Sequence, residues 1–172
     1  MILLPATRNS SRTERSSDAF PPPRIGRVKQ GMALGTTGHP QIAKLFRAAA
    51  AAETVHALAH FRVMKGVGDT KQNLQAAIDG EEYEFKEMYP AFIKAAQADG
   101  NTEAVTSFRN ANSVEKTHYE LYSKALESLT AGKDLAAGPM YVCNECGHTV
   151  LGKAPDECPV CGASRSKFKE VA

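Results

Sequence analysis

Gly80-Glu81-Glu82-Tyr83-Glu84-Phe85-Lys86-Glu87-Met88-Tyr89-Pro90 places two carboxylates, Glu81 and Glu84, three residues apart within a helical pattern. Residues at that spacing share one helix face. Around them Leu74, Ala77, Ile78, Phe85, Met88, Phe92 and Ala96 recur at intervals that predict a helix from about Thr70 to Ala98. Pro90 has no N–H and is expected to kink it. Asp99-Gly100-Asn101 reads as a stop followed by a fresh start.

The same chemistry lies on either side. Upstream, Pro40 to about Met64 is helical in pattern, with Pro40 suited to a first turn. Ile42, Leu45, Phe46, Ala49, Ala52, Val55 and Ala59 form its apolar stripe, and Gly66 and Gly68 end it. This segment carries Glu53-x-x-His56. Downstream, Thr102 to Leu129 reads as a third helix, with Thr102 contributing to its cap and Val105, Phe108, Ala111, Val114, Tyr122 and Leu126 as its stripe. It carries Glu115-x-x-His118.

A lone Glu-x-x-His is common on helix surfaces. Two of them flanking a Glu-x-x-Glu form a donor set. The alanines and aromatics on those faces point them inward, and several buried carboxylates are untenable without cations. Carboxylate oxygens with imidazole nitrogens suit iron or manganese, and zinc also fits. Paired Glu-x-x-His motifs with further glutamates on facing helices match ferritin-like di-iron carboxylate bundles. His60 reads as an exposed or packed histidine. Glu82, Glu87, Asp99, Glu103 and Glu120 read as solvated charges.

All four cysteines fall in the last thirty residues, as Cys143-x-x-Cys146-Gly147 and Cys158-Pro159-x-Cys161-Gly162. In a reducing compartment such pairs hold metal more often than they form disulfides. Each can form a knuckle whose backbone N–H groups face sulfur, with glycine supplying the positive φ. Four thiolates suit iron or zinc, and spacing does not choose between them.

The rest of the composition is that of an ordinary globular chain of 172 residues, 42% hydrophobic and 23% charged, with a net charge of +2. That charge gives no case for nucleic acid. The basic residues Arg8, Arg12, Arg15, Arg24, Arg27 and Lys29 sit in a Ser- and Pro-rich stretch that reads as a disordered tail. A short helix between Ile25 and Leu34 is weakly signalled. No run approaches the roughly 18–20 apolar residues of a membrane span. Met1-Ile2-Leu3-Leu4 is cut at Pro5, short of a signal peptide's apolar core, so a cytoplasmic location is expected. The organisation expected is an irregular or disordered segment at 1–39, a helical metal domain at 40–130, a linker at 131–140 and a small strand-and-turn domain at 141–172.

The segment Gly80–Pro90 resembles the rubrerythrin motif Gly-Glu-x-x-Glu-Tyr-x-x-Met-Tyr-Pro, with Phe85 where the family has tyrosine. Glu53-x-x-His56 and Glu115-x-x-His118 fall where that family has them. Tyr141-Val142-Cys143-Asn144-Glu145-Cys146-Gly147-His148 and Ala154-Pro155-Asp156-Glu157-Cys158-Pro159-Val160-Cys161-Gly162-Ala163 resemble its rubredoxin-like module. The resemblance covers about 38–171. It implies a mainly α fold, a ferritin-like bundle with a small C-terminal rubredoxin-like domain.

The resemblance also implies a non-haem di-iron peroxidase of oxidative stress defence. Such a protein reduces hydrogen peroxide to water, with electrons relayed through a mononuclear iron on Cys143, Cys146, Cys158 and Cys161. The donor would be an NADH-dependent reductase of the rubredoxin reductase type. By the same resemblance Glu53 and Glu115 bridge two irons, and His118 and Glu81 serve one of them. The other uses His56 when reduced and Glu84 when oxidised, while Tyr89 donates to a ligand carboxylate. Homodimers, with the cysteine module of one chain near the di-iron site of the other, are also implied.

One departure is physical. The family has an earlier helix with a Gly-Glu-Ser-Gln-Ala-like motif whose Glu is a terminal ligand. Here Lys29-Gln30-Gly31-Met32-Ala33-Leu34-Gly35 looks like the approach to that helix and passes directly to Gly38-His39-Pro40. Three long helices are recognisable, and the first is missing or atypical. An apolar groove is expected where it would lie. Two other readings stand beside the peroxidase: an electron-transfer or iron-binding protein with a degenerate di-iron site, and a zinc-ribbon interaction module.

Overall fold

The computed structural model describes residues 38–171, so the expectations for the basic tail, the Ile25–Leu34 helix and the truncated first-helix motif lie outside the described residues. The chain forms two compact units that divide between Gly66 and Val67.

In the first unit, helix α1 runs Pro40–Val63. Pro40 sits in its first turn, where the absent N–H costs nothing. Its inner face differs from the sequence stripe. Ala43 and Ala50 are buried, whereas Leu45 is 68% and Val55 62% exposed. Alanine occupies every side of this helix, so apolar spacing alone cannot say which side is inside. Phe46, Glu53 and Thr54 are half-buried on the same face as Ala43 and Ala50.

In the second unit, α2 (Thr70–Tyr83), a π-helical turn (Glu84–Met88) and α3 (Tyr89–Ala98) follow one another without a break. They pack along α4 (Thr102–Thr130), forming a helical hairpin. The expected kink at Pro90 takes the form of this π-turn. The Tyr89 N–H bonds the Glu84 carbonyl, five residues back instead of four. A widened turn is one way for a helix to absorb the hydrogen bond that proline cannot make.

The hairpin turn uses Gly100 at φ +67°. Its cap is Asn101, whose side chain accepts from the Ala104 N–H at 3.0 Å. Thr102, the residue assigned to the cap from sequence, is already helical. Ile78, Ala96 and Val114 are the buried apolar positions of the hairpin. Aromatic pairs lock the two arms: Phe85 on Tyr119 at 5.4 Å and Phe92 on Phe108 at 5.5 Å between ring centroids.

At the start of α2, Asp69 and Gln72 form a reciprocal capping box at 2.8 and 2.9 Å. Asp69→Ala is expected to cost about 1 kcal/mol. Denaturant titration reads it as a shifted midpoint with an unchanged slope.

Residues beyond α4 build a three-stranded antiparallel sheet in the order β2-β1-β3, with β1 Met140–Cys143, β2 Thr149–Leu151 and β3 Phe168–Glu170. Register pairs Tyr141 with Val150 and Cys143 with Phe168. Cys143, Ala154, Cys158 and Phe168 are its buried core. Two of those four are cysteines, so this module's interior is largely its ligand set.

Candidate metal centres

The four cysteines converge. Their sulfurs lie within 4.8 Å of one another, with Cys143 to Cys161 at 3.8 Å and Cys146 to Cys158 at 3.6 Å. A tetrahedron with metal–sulfur bonds of about 2.3 Å has edges of about 3.8 Å, so the spacing fits one ion held by four thiolates. It is too long for a disulfide.

The two knuckles are copies. The Cys143 N–H bonds the His148 carbonyl at 2.9 Å, and the Cys158 N–H bonds the Ala163 carbonyl at 2.7 Å. In each, the first cysteine's carbonyl accepts from the glycine N–H four residues on, Gly147 at 2.8 Å and Gly162 at 2.9 Å. Those glycines sit at φ +88° and +73°, as the turn requires.

Backbone N–H groups face sulfur as well. Burial pushes the Cys158 thiol up, but the amides of Cys161 and Val160 together with the neighbouring thiols of Cys146 and Cys161 hold the group below its ordinary value. Burial pushes Cys146 and Cys161 up, with the amides of His148 and Ala163 acting against it. Crowded thiols of this kind lose their protons to a metal.

The second cluster is Glu81, Glu115 and His118, whose donor atoms also lie within 4.8 Å of one another. The i, i+3 spacing on α4 brings His118 Nδ1 to 2.8 Å from Glu115 Oε2. Glu81 reaches across from α2, its Oε1 3.6 Å from the same nitrogen. All three side chains are mostly enclosed, at 26% exposure for His118, 18% for Glu81 and 16% for Glu115.

Burial first, then the charge of Glu115, pushes the Glu81 carboxyl from its ordinary 4.5 to about 7, with His118 acting the other way. Burial and Glu115 raise Glu84 likewise. Tyr89 is raised by burial and by the charge of the neighbouring Glu115 carboxylate. Two hard carboxylates and an imidazole, enclosed and mutually unfavourable without added positive charge, fit a divalent or trivalent cation.

A pH test follows from Glu81. Its folded value lies above its ordinary one, so folding favours the protonated form. The metal-free protein is expected to lose stability as pH rises from 4.5 to about 7 and to level off above that. Thermal melts of chelator-treated protein check the sign; stability that rises over this window would contradict it.

The remaining residues from the sequence motifs are placed as follows. Glu84 opens the π-turn and is half-buried. Glu53 and His56 stand on α1 in the other unit, His56 Nδ1 3.6 Å from Glu53 Oε2. Glu53 is half-buried, but His56 is exposed, not turned inward as the sequence pattern suggests. His60 is exposed, as read from sequence, and Glu82 pairs with Lys86.

Sequence reasoning missed Thr149. Its hydroxyl oxygen lies 3.0 Å from His118 Nε2, bringing β2 of the cysteine module against α4 of the same chain. The resemblance implied such proximity between chains. No local pattern marks a threonine 31 residues away from its partner.

Comparison with known proteins gives a family match for the helical and the cysteine-bearing parts of the chain. A family model described as Rubrerythrin matches residues 32–126, and one described as Rubrerythrin, rubredoxin-like domain matches 141–169. Rubrerythrin-2 of Clostridium acetobutylicum is 35% identical over 147 residues, 77% of this chain and 80% of that protein. Nigerythrin of Nitratidesulfovibrio vulgaris is 34% identical over 145 residues, 76% of this chain and 70% of that protein. A solved structure of nigerythrin in a partially reduced state aligns with TM-score 0.56 and 30% identity, covering 86% of this chain and 78% of that one.

Among the described residues no helix is long and apolar enough to cross a membrane. The family's helical domain implies a di-iron centre, and the four cysteines form the rubredoxin-like site. The chain belongs to the rubrerythrin family, generally oxidoreductases of oxidative stress defence.

Proposed function

We propose that the chain is a peroxidase that reduces hydrogen peroxide to water at a helical di-iron centre, with electrons relayed through iron on the four cysteines. The observation that carries this reading is the Glu81–Glu115–His118 cluster in one compact unit with the tetracysteine cluster. Glu81, Glu115 and His118 would hold one iron. Glu53, His56 and Glu84 would complete the pair.

When bound, two ferrous ions supply the two electrons that split an O–O bond. The protein's residues set the conditions. Enclosure by the α2–α4 hairpin keeps the carboxylates short of water, so their preference for a cation is strong. Glu84 opens the widened turn, its carbonyl accepting from Tyr89 five residues on, and would be the carboxylate that changes position. Tyr89, beside Glu115, would orient that carboxylate through its hydroxyl. Cys143, Cys146, Cys158 and Cys161 hold the relay iron, with backbone amides offsetting thiolate charge.

In this reading residues 40–130 form the di-iron domain, 131–140 the linker and 141–172 the relay domain. The protein works as a homodimer in the cytoplasm, where thiols stay reduced, and draws electrons from an NADH-dependent reductase. The experiment is peroxide loss by iron-loaded protein with NADH and a rubredoxin-type reductase. NADH oxidation in step with peroxide supports the reading. A protein whose cysteine iron is reduced but never reoxidised by peroxide would instead be an electron carrier.

A further inference from the structure

We propose that Thr149 is a positioning residue that fixes the His118 imidazole and makes the helical metal site depend on docking of the cysteine module. This rests on the di-iron reading above.

His118 has two ring nitrogens with different surroundings. Nδ1 faces the carboxylates, 2.8 Å from Glu115 and 3.6 Å from Glu81. Nε2 faces away from them, 3.0 Å from Thr149 Oγ1. The Thr149 hydroxyl donates to the Gly147 carbonyl at 3.3 Å. Its proton is thereby committed, and its oxygen is left to accept from an Nε2–H. That assigns the imidazole proton to Nε2 and leaves the Nδ1 lone pair for metal. An outer partner that fixes tautomer and ring plane in this way is what a ligating histidine needs.

Thr149 and His118 border an apolar recess of about 320 Å³ whose other walls include Leu74, Leu121, Tyr122 and Leu151. Gly147 lies over Val114, one helical turn before His118, so the knuckle is seated on α4 itself. Gly147 follows Cys146 in the chain. Two hydrogen bonds therefore join a cysteine-bearing turn to the imidazole of the helical cluster.

The test uses full-length protein loaded with ferrous iron, comparing wild type, Thr149→Val and Thr149→Ser. Valine keeps the shape and removes the hydroxyl; serine keeps the hydroxyl. Thr149→Val is expected to weaken iron retention by the helical site about 10- to 100-fold in chelator competition. It should lower kcat with KM for peroxide unchanged, and leave the tetracysteine absorption intact. Thr149→Ser should restore both retention and kcat. Wild-type behaviour of Thr149→Val overturns the inference, as does equal loss in both variants. If wild type itself holds iron only on its cysteines, the di-iron reading fails first and the inference falls with it.

Discussion

Glu115→Ala is expected to abolish peroxide reduction while sparing the absorption of the cysteine-bound iron. Glu115 is the point at which the helical cluster meets. It touches His118, lies beside Tyr89, and raises both Glu81 and Glu84 by its charge. Loss of a ligand should exceed the roughly 10- to 100-fold effect typical of outer partners. The cysteine sulfurs belong to a separate set of turns, so their site should load normally. Because Glu115 also disfavours the Glu81 carboxylate, removing it should flatten the pH dependence of metal-free stability between 4.5 and about 7. A merely structural Glu115 would give the opposite combination, a less stable protein with the helical iron still bound. Turnover that survives the substitution would show the site assignment to be wrong.

The second large effect concerns Cys158→Ser. Cys158 is 2% exposed and belongs to a four-residue core that also contains Cys143. With so little apolar interior, metal binding must supply much of this module's folding free energy, as in other small metal domains, where it reaches about 10–16 kcal/mol for structural zinc. Substitution, or removal of the metal, is expected to unfold 141–171 and leave the α2–α4 hairpin helical. Amide exchange would register lost protection at Cys143, Gly147, Cys158 and Gly162, whose N–H groups define the knuckles. Through Thr149, the same variant should loosen iron at His118. A module that keeps its protection without metal would contradict this account.

Much of the fold is legible in the sequence because its punctuation is strong. Pro40, Asp99-Gly100-Asn101 and Gly132 bound helices that the structure places at Pro40–Val63, Thr70–Ala98 and Thr102–Thr130, the middle one widened at Glu84–Met88. The cysteine spacing likewise forecast the convergence of four sulfurs and the positive φ of Gly147 and Gly162. What sequence could not show depends on tertiary context. Alanine on every side of α1 hid its buried face. Proline announced a disturbance near residue 90 but not that it would be a π-turn. In the helical cluster, the i, i+3 pair Glu115–His118 was readable from spacing. The approach of Glu81 from another helix was an inference from burying charge, and the Thr149 contact carried no signal at all. Glu53 and His56 share the motif with Glu115 and His118, yet His56 is exposed on α1.

The central claim is that enclosed carboxylates on facing helices require cations between them. Mössbauer spectroscopy of iron-reconstituted protein, with total iron counted per chain, tests it most directly. The account predicts a tetrathiolate iron together with a pair of irons in oxygen and nitrogen surroundings. A spectrum showing thiolate-bound iron alone would contradict it.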